Sequence, residues 1–113
     1  MLTIDALRAF GANVDEGLGR CMKNEGFYLR MVRMACGDGN FEKLEKAAED
    51  NDLTAGFEAA HALKGVLANL ALTPLTNPVS ELTELFRAKT PGDYRHTVKK
   101  ILALRDELRA LDQ

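Results

Sequence analysis

Apolar residues recur at intervals of three and four positions along most of the chain, which is the spacing of one face of an α-helix. Strands require clusters of β-branched and aromatic residues with a period of two, whereas here Val and Ile are scattered. The pattern therefore predicts an all-α protein.

Two short helices are predicted near the N-terminus. Residues 3–10 form one amphipathic segment, and Gly11 is suited to end it. Asn13 and Glu16 have the spacing of a capping box, which predicts a second helix near 14–23.

The segment after Glu25 predicts a third helix, and its apolar residues are Phe27, Met31, Met34 and Ala35. Of these, Met31 and Met34 are interpreted as core-filling side chains. The glycines of 37–39 interrupt the pattern, as a loop or as a weak point in a longer helix. A further amphipathic helix follows over 40–51, and its apolar face carries Phe41, Leu44, Ala47 and Ala48.

The C-terminal half predicts three longer helices. Asp52 is suited to cap a helix over 53–72. Thr73-Pro74 and Asn77-Pro78 each pair a capping side chain with a Pro suited to the first helical position, so either could start the next helix. Because Pro78 inside a helix would remove a hydrogen bond and kink it, we expect a turn at 73–77 and a helix over 78–89. Residues 90–93 read Thr-Pro-Gly-Asp, which predicts the start of the last helix at 91–111. Its apolar face comprises Tyr94, Val98, Ile101, Leu102, Leu108 and Leu111.

Short connections place sequential helices side by side and antiparallel. We therefore expect an antiparallel up-down four-helix bundle with short additional N-terminal helices. The 113 residues correspond to one domain over 1–113.

Composition and charge exclude several classes of protein. Lys and Arg number 15 against 17 Asp and Glu, a formal net charge of −2, which argues against a strongly basic nucleic-acid binder. No apolar run approaches the roughly 20 residues of a membrane span. The first ten residues lack the basic start and apolar stretch of a secretory signal. We expect a cytoplasmic protein without nucleic-acid or membrane partners.

Metal and nucleotide sites have no support in the sequence. The Cys and His residues are Cys21, Cys36, His61 and His96, and none stands at the spacing of a zinc site. Two cysteines are too few for a disulfide scaffold, so both thiols are expected to be reduced. The 37–39 glycines match no phosphate-binding loop, and His96 is interpreted as a surface residue.

The helix over 53–72 carries the candidate chemistry. At about 100° per residue, its apolar stripe is formed by Ala60, Leu63, Leu67 and Leu70. His61 falls about 130° from the centre of that stripe, which predicts that the imidazole reaches the surface.

An exposed imidazole is nucleophilic when neutral and accepts a phosphoryl group on a ring nitrogen. Lys64, one turn further on, is suited to contact phosphate oxygens, and Gly65 and Ala68 leave room for a partner to approach. Phe57, at i−4 from His61, lies at the edge of this face. The alternatives are that Lys64 is only a solvated charge and that Gly65 serves close packing between helices.

The residues His61-Ala62-Leu63-Lys64-Gly65 resemble the H-x-L-K-G signature of histidine-containing phosphotransfer (HPt) domains. The order of upstream segments is similar too, from Leu7 to Gly11, through Tyr28-Leu29, to Glu45–Asp52. Two residues depart from the family's usual ones. Val66 replaces the frequent Ser or Ala after the glycine, and Ala71 stands where Gly is common.

The resemblance implies a four-helix bundle whose histidine relays a phosphoryl group between receiver-domain aspartates in a two-component phosphorelay. His61 would form the phosphohistidine, on Nε2. Lys64 would stabilise the phosphate, and Gly65 would give docking access. The implied partners are response-regulator receiver domains and a hybrid sensor histidine kinase.

The domain itself is expected to need no cofactor, because the receiver supplies Mg²⁺, and to have no kinase activity. The alternative is a helical adaptor that binds a receiver or another signalling protein without carrying phosphate. The pathway, the direction of phosphate flow and the oligomeric state stay open.

Overall fold

The computed structural model describes residues 1–113 as seven α-helices without a strand. The all-α prediction is confirmed. The helices are α1 (Ile4–Phe10), α2 (Val14–Arg20), α3 (Glu25–Cys36), α4 (Asn40–Asp50), α5 (Leu53–Asn69), α6 (Thr73–Arg87) and α7 (Arg95–Ala110). None of these helices combines the length and the apolar character that a bilayer span requires.

The last four helices form the predicted antiparallel bundle. Each packs against the next one in the chain, and α4 closes the ring on α7. Their buried faces share one hydrophobic core with Tyr28 and Val32 of α3. The largest fully buried side chains contributed by the bundle are Phe41, Leu44, Leu63, Leu67, Leu75, Leu82, Ile101 and Leu108.

α3 and α4 together run antiparallel to α7. Three polar contacts show this antiparallel arrangement: Arg33 with Asp112, Cys36 with Arg109, and Glu42 with Arg105. Residues later in α3 and α4 contact residues earlier in the C-terminal segment. Residues 37–39 form a non-helical connection, so α3 and α4 are separate helices, and both line one side of α7.

The start of α2 and the side chain of Tyr28 in α3 cover the turn between α5 and α6. The backbone N–H of Asn13 donates to the carbonyl of Ala71 at 2.9 Å, and the Tyr28 hydroxyl donates to the carbonyl of Leu70 at 2.9 Å. Asn13 also caps α2, as predicted, by accepting from the N–H of Glu16. These contacts satisfy backbone groups left free where α5 ends.

The predicted start of α6 is wrong. The helix begins at Thr73 and includes Pro78, so residues 73–77 are helical. Pro78 lies near the N-terminal end, where its missing N–H removes a single bond to the carbonyl of Pro74. Leu75 is fully buried, and a helical start at Thr73 places it on the same stripe as Val79. Burial of Leu75 therefore outweighs the cost of the internal proline.

The predicted apolar face of α3 is also wrong in part. Met34 is 63% exposed and Phe27 is 40% exposed, whereas Tyr28 and Val32 are completely buried. Met31 is half-buried, and Ala35 is buried as expected. The inward face is thus rotated from the predicted one. Tyr28 rather than Phe27 lies in the core, because the buried Leu70 carbonyl accepts a hydrogen bond from its hydroxyl.

Two further helix ends differ from the predictions. α7 begins at Arg95 because residues 90–93 form a loop, although Asp93 accepts a hydrogen bond from the N–H of Arg95. α5 ends at Asn69 because Ala71 adopts a left-handed conformation at φ 55°. The N–H of Leu72 then donates to the carbonyl of Leu67, which completes a Schellman ending.

Candidate functional site

α5 turns one apolar side to the core and presents His61 to solvent. Asp52 caps the helix, as predicted, by accepting from the N–H of Ala55 at 3.0 Å. The predicted stripe of Ala60, Leu63, Leu67 and Leu70 is buried, and His61 is exposed. The helical spacing alone therefore placed the imidazole correctly on the surface.

The His61 imidazole is free of polar partners within the chain. No hydrogen bond and no ion pair involves its nitrogens. Its one ring neighbour is Phe57, whose centroid lies 5.3 Å away with the rings inclined at 38°. Both nitrogens are thus available to a reactant that approaches from solvent.

Lys64 supplies an uncompensated positive charge on the same side of α5. It lies three residues after His61, which places the two side chains on neighbouring turns of one face. Lys64 is half-buried, and no carboxylate pairs with it. An ammonium group in this position is free to contact an anion held at the imidazole.

Gly65 leaves the surface beside His61 open. A Cβ atom built at Gly65 meets nothing within 4 Å, and the residue is exposed. The alternative that Gly65 serves close helix packing is therefore wrong. Gly56 on the same helix contrasts with it, since a Cβ there would lie 3.0 Å from the Phe86 ring.

The opening continues toward the end of α5. Ala68 is half-buried, and its carbonyl accepts a hydrogen bond from Arg20 of α2 at 2.7 Å. Arg20 also pairs with Glu16 at 2.6 Å. The side chain of Ala68 adds little bulk to this part of the face, and the backbone carbonyl is fixed by its bond to Arg20.

A groove of about 530 Å³ lies between α3 and α5 and shares Gly65 with the His61 face. Met31 and Met34 line it from α3, while Val66 and Asn69 line it from α5. Val66 is 37% exposed, so the groove presents apolar side chains to solvent. Sequence analysis missed this surface because it assigned both methionines to the core, although the alternative inward face of Tyr28 and Val32 was visible in the spacing.

Arg87 of α6 also lies beside this face, and the sequence did not indicate it. Its guanidinium carbon lies 4.9 Å from the Phe57 ring centroid, and its Nε lies 3.4 Å from the Glu84 carboxylate. Only the packing of α6 on α5 brings this side chain to Phe57. No spacing within the sequence signals such a contact.

The other candidate groups lie outside this face. His96 is exposed and lines a cavity of about 480 Å³ between α4 and α7, together with Glu45, Glu49 and Asp93. Arg95 bonds the Asp93 carboxylate and lowers its pKa to about 2. Cys21 and Cys36 are free and buried. No group of three or more His, Cys, Asp or Glu side chains is arranged to hold a metal ion.

Fold and site together define a class: a small helical bundle that presents one unpaired histidine and one unpaired lysine on an open helical face. Comparison with known protein families matches residues 37–113 to the Hpt domain. The match spans α4 to α7 and includes His61, and the chain belongs to the Hpt domain family. Comparison with curated proteins and with solved structures gives no match. Hpt domains act in histidine phosphotransfer within phosphorelays, as phosphocarriers and not as kinases.

Proposed function

We propose that this protein relays a phosphoryl group between receiver-domain aspartates through a phosphohistidine at His61. The observation that carries the proposal is the open face around His61, where the imidazole has no internal partner and Gly65 leaves the approach free. A nucleophile that must meet an aspartyl phosphate on another protein needs such an approach.

The transfer step requires little from this chain. The Nε2 lone pair of neutral His61 attacks the phosphorus of the aspartyl phosphate. The bond from phosphorus to the aspartyl oxygen breaks, and its electron pair stays on the regenerated carboxylate. Reversal of this step on a second receiver passes the group on. Catalysis of phosphoryl transfer is mostly positioning and electrostatic stabilisation.

Lys64 is proposed to stabilise the phosphoryl oxygens during transfer and afterwards. Its ammonium is unpaired, so binding the phosphate breaks no existing ion pair. The Mg²⁺ ion is proposed to come from the receiver, and the donor of the first phosphoryl group is proposed to be a hybrid sensor histidine kinase. These partners would place the chain in the cytoplasm.

The docking surface is proposed to extend from Phe57 and Ala68 onto the groove between α3 and α5. The groove is continuous with the His61 face through Gly65. Exposed apolar side chains such as Met34 and Val66 are typical of protein-binding surfaces, and methionine adapts to more than one partner. A carrier that serves two receivers needs that adaptability.

The test is label transfer from a phosphorylated receiver to the purified chain. Wild type is expected to acquire label that is acid-labile and base-stable, and His61→Gln is expected to acquire none. His96→Gln is the matched control, because His96 is likewise exposed but lies between α4 and α7. Label on His61→Gln, or none on wild type, would contradict the proposal. Binding without label would instead indicate the adaptor.

Lys64→Ala tests the electrostatic part separately. Loss of one charge-assisted contact, worth about 1.5 kcal/mol, predicts transfer roughly tenfold slower than in wild type. Lys99→Ala, an exposed lysine of α7, serves as the control and is expected to transfer normally. Equal rates for both variants would show that Lys64 is only a solvated charge.

A further inference from the structure

A stack of three side chains connects α6 to the candidate reactive ring on α5. The Arg87 guanidinium carbon lies 4.9 Å from the centroid of Phe57, and the Phe57 ring lies 5.3 Å from that of His61. The stack crosses from one helix of the bundle to the next. The orientation of the imidazole is therefore linked to the packing of α6 on α5.

Contacts along the stack restrict Arg87 first and then Phe57. Glu84, one turn before Arg87 on α6, bonds the guanidinium at 3.4 Å and limits its motion. A guanidinium near an aromatic ring is attracted by the π system, and this restricts the rotation of Phe57. Phe57 is half-buried and packs against the hydrophobic core, so its ring has a second fixed contact.

His61 itself has no hydrogen bond that would fix its orientation. Metal-binding and catalytic histidines are usually oriented by a partner on the second ring nitrogen. Here the imidazole lacks such a partner, and Phe57 at i−4 is its one aromatic contact. The contact with the Phe57 ring can therefore restrict the side-chain torsions of His61.

We propose that Arg87 and Phe57 are positioning residues for phosphoryl transfer: Arg87 holds Phe57, and Phe57 holds His61 in the orientation that presents Nε2 to the partner. The inference rests on the proposed phosphotransfer at His61. Neither residue touches the phosphoryl group in this role. A misplaced nucleophile lowers the maximal rate of the transfer step, whereas a lost docking contact changes the half-saturating concentration of the receiver.

The first experiment is single-turnover transfer from a phosphorylated receiver, measured over a range of receiver concentrations. Phe57→Leu is expected to lower the maximal rate about tenfold, and any change in the half-saturating concentration reports the separate contribution of Phe57 to docking. Phe57→Tyr keeps the ring and is expected to restore the rate. Leu is used because its apolar bulk preserves the core contact, and circular dichroism checks that the variant folds.

Arg87 is tested in the same assay. Arg87→Gln is expected to lower the maximal rate about threefold, and Arg87→Lys to recover part of it, since lysine keeps the charge but not the planar group. Arg95→Gln is the control, because Arg95 pairs with Asp93 beside the N-terminal end of α7. Unchanged maximal rates in Phe57→Leu and Arg87→Gln, or changes in half-saturation alone, would overturn the inference.

The second experiment needs no phosphate, so it separates this inference from the proposed function. NMR couplings and relaxation of the His61 side chain are expected to report one dominant rotamer in wild type and averaging in Phe57→Leu. If wild type takes no label, the phosphotransfer proposal fails, and with it the catalytic part of the inference. If the imidazole already averages in wild type, the positioning role is overturned even when label is transferred.

Discussion

The clearest test of the open face is Gly65→Ala, because it should separate stability from function. A glycine in the interior of a helix costs about 1 kcal/mol relative to alanine. A Cβ atom at Gly65 meets nothing within 4 Å in the free protein, so no clash offsets this gain. The variant is therefore expected to be more stable by up to about 1 kcal/mol, and to melt a few degrees higher.

In the complex the same methyl group has the opposite effect. If a partner packs directly over Gly65, one extra carbon overfills the interface at a cost of about 1–3 kcal/mol. Transfer from a phosphorylated receiver is then expected to slow by roughly 5- to 150-fold at subsaturating receiver. Gly65→Leu extends the series and is expected to slow transfer further.

Gly19→Ala is the matched control. A Cβ atom at Gly19 also meets nothing within 4 Å, and Gly19 lies about 200° around α2 from Gly17, which packs against Tyr28 of α3 and the Leu70 carbonyl. We expect a gain in stability without a change in transfer. The reasoning about close approach is refuted if Gly65→Ala gains stability and transfers as fast as wild type. It is refuted at an earlier step if the variant is destabilised in thermal unfolding.

Three further predictions concern the end of α5. Gly17→Ala is expected to lower the free energy of unfolding by more than about 2 kcal/mol in urea titrations. The reason is that its Cβ would lie 2.6 Å from the Tyr28 ring and 2.7 Å from the Leu70 carbonyl, so a neutral effect would contradict that packing. Tyr28→Phe should cost about 1–2 kcal/mol through the lost bond to Leu70. Burial, and then the negative charge of an ionised Cys21, raise the pKa of Tyr28 from 10.0 to about 12. The contribution of neutral Tyr28 to stability is therefore full below pH 10 and is lost as pH rises toward 12, and Tyr28→Phe should lack that decline. Ala71→Gly should raise the melting temperature, because φ is 55° at Ala71 and a left-handed residue with a Cβ destabilises the fold by about 1 kcal/mol. An unchanged melting temperature would show that the lost burial of the Ala71 methyl group cancels the backbone gain.

Most of the fold and the position of His61 follow from local pattern. Helix spacing, the caps at Asn13 and Asp52 and the stop at Gly11 lie within a few residues of the groups they act on. Their effects are therefore legible in the chain itself. The same reasoning placed His61 outside the apolar stripe and Lys64 and Gly65 on the turns that follow it.

The errors share a different origin, which is competition between distant segments for the core. Pro78 argues locally for a helix start, yet burial of Leu75 extends α6 back to Thr73. Phe27 and Met34 are apolar and helically spaced, yet Tyr28 takes the interior because the Leu70 carbonyl offers it a partner. Spacing alone permits either outcome in both cases, because the contacts that decide between them come from residues distant in the chain.

For the site, the chain alone determined which residues carry the chemistry and on which side of α5 they lie, because one helix holds them all. Tertiary structure alone decided what surrounds them. It left Gly65 unpacked, assembled the groove from α3 and α5, and brought Arg87 of α6 over Phe57. A helix fixes the relative directions of its own side chains through its 3.6-residue turn, whereas contacts between helices depend on how the whole core packs.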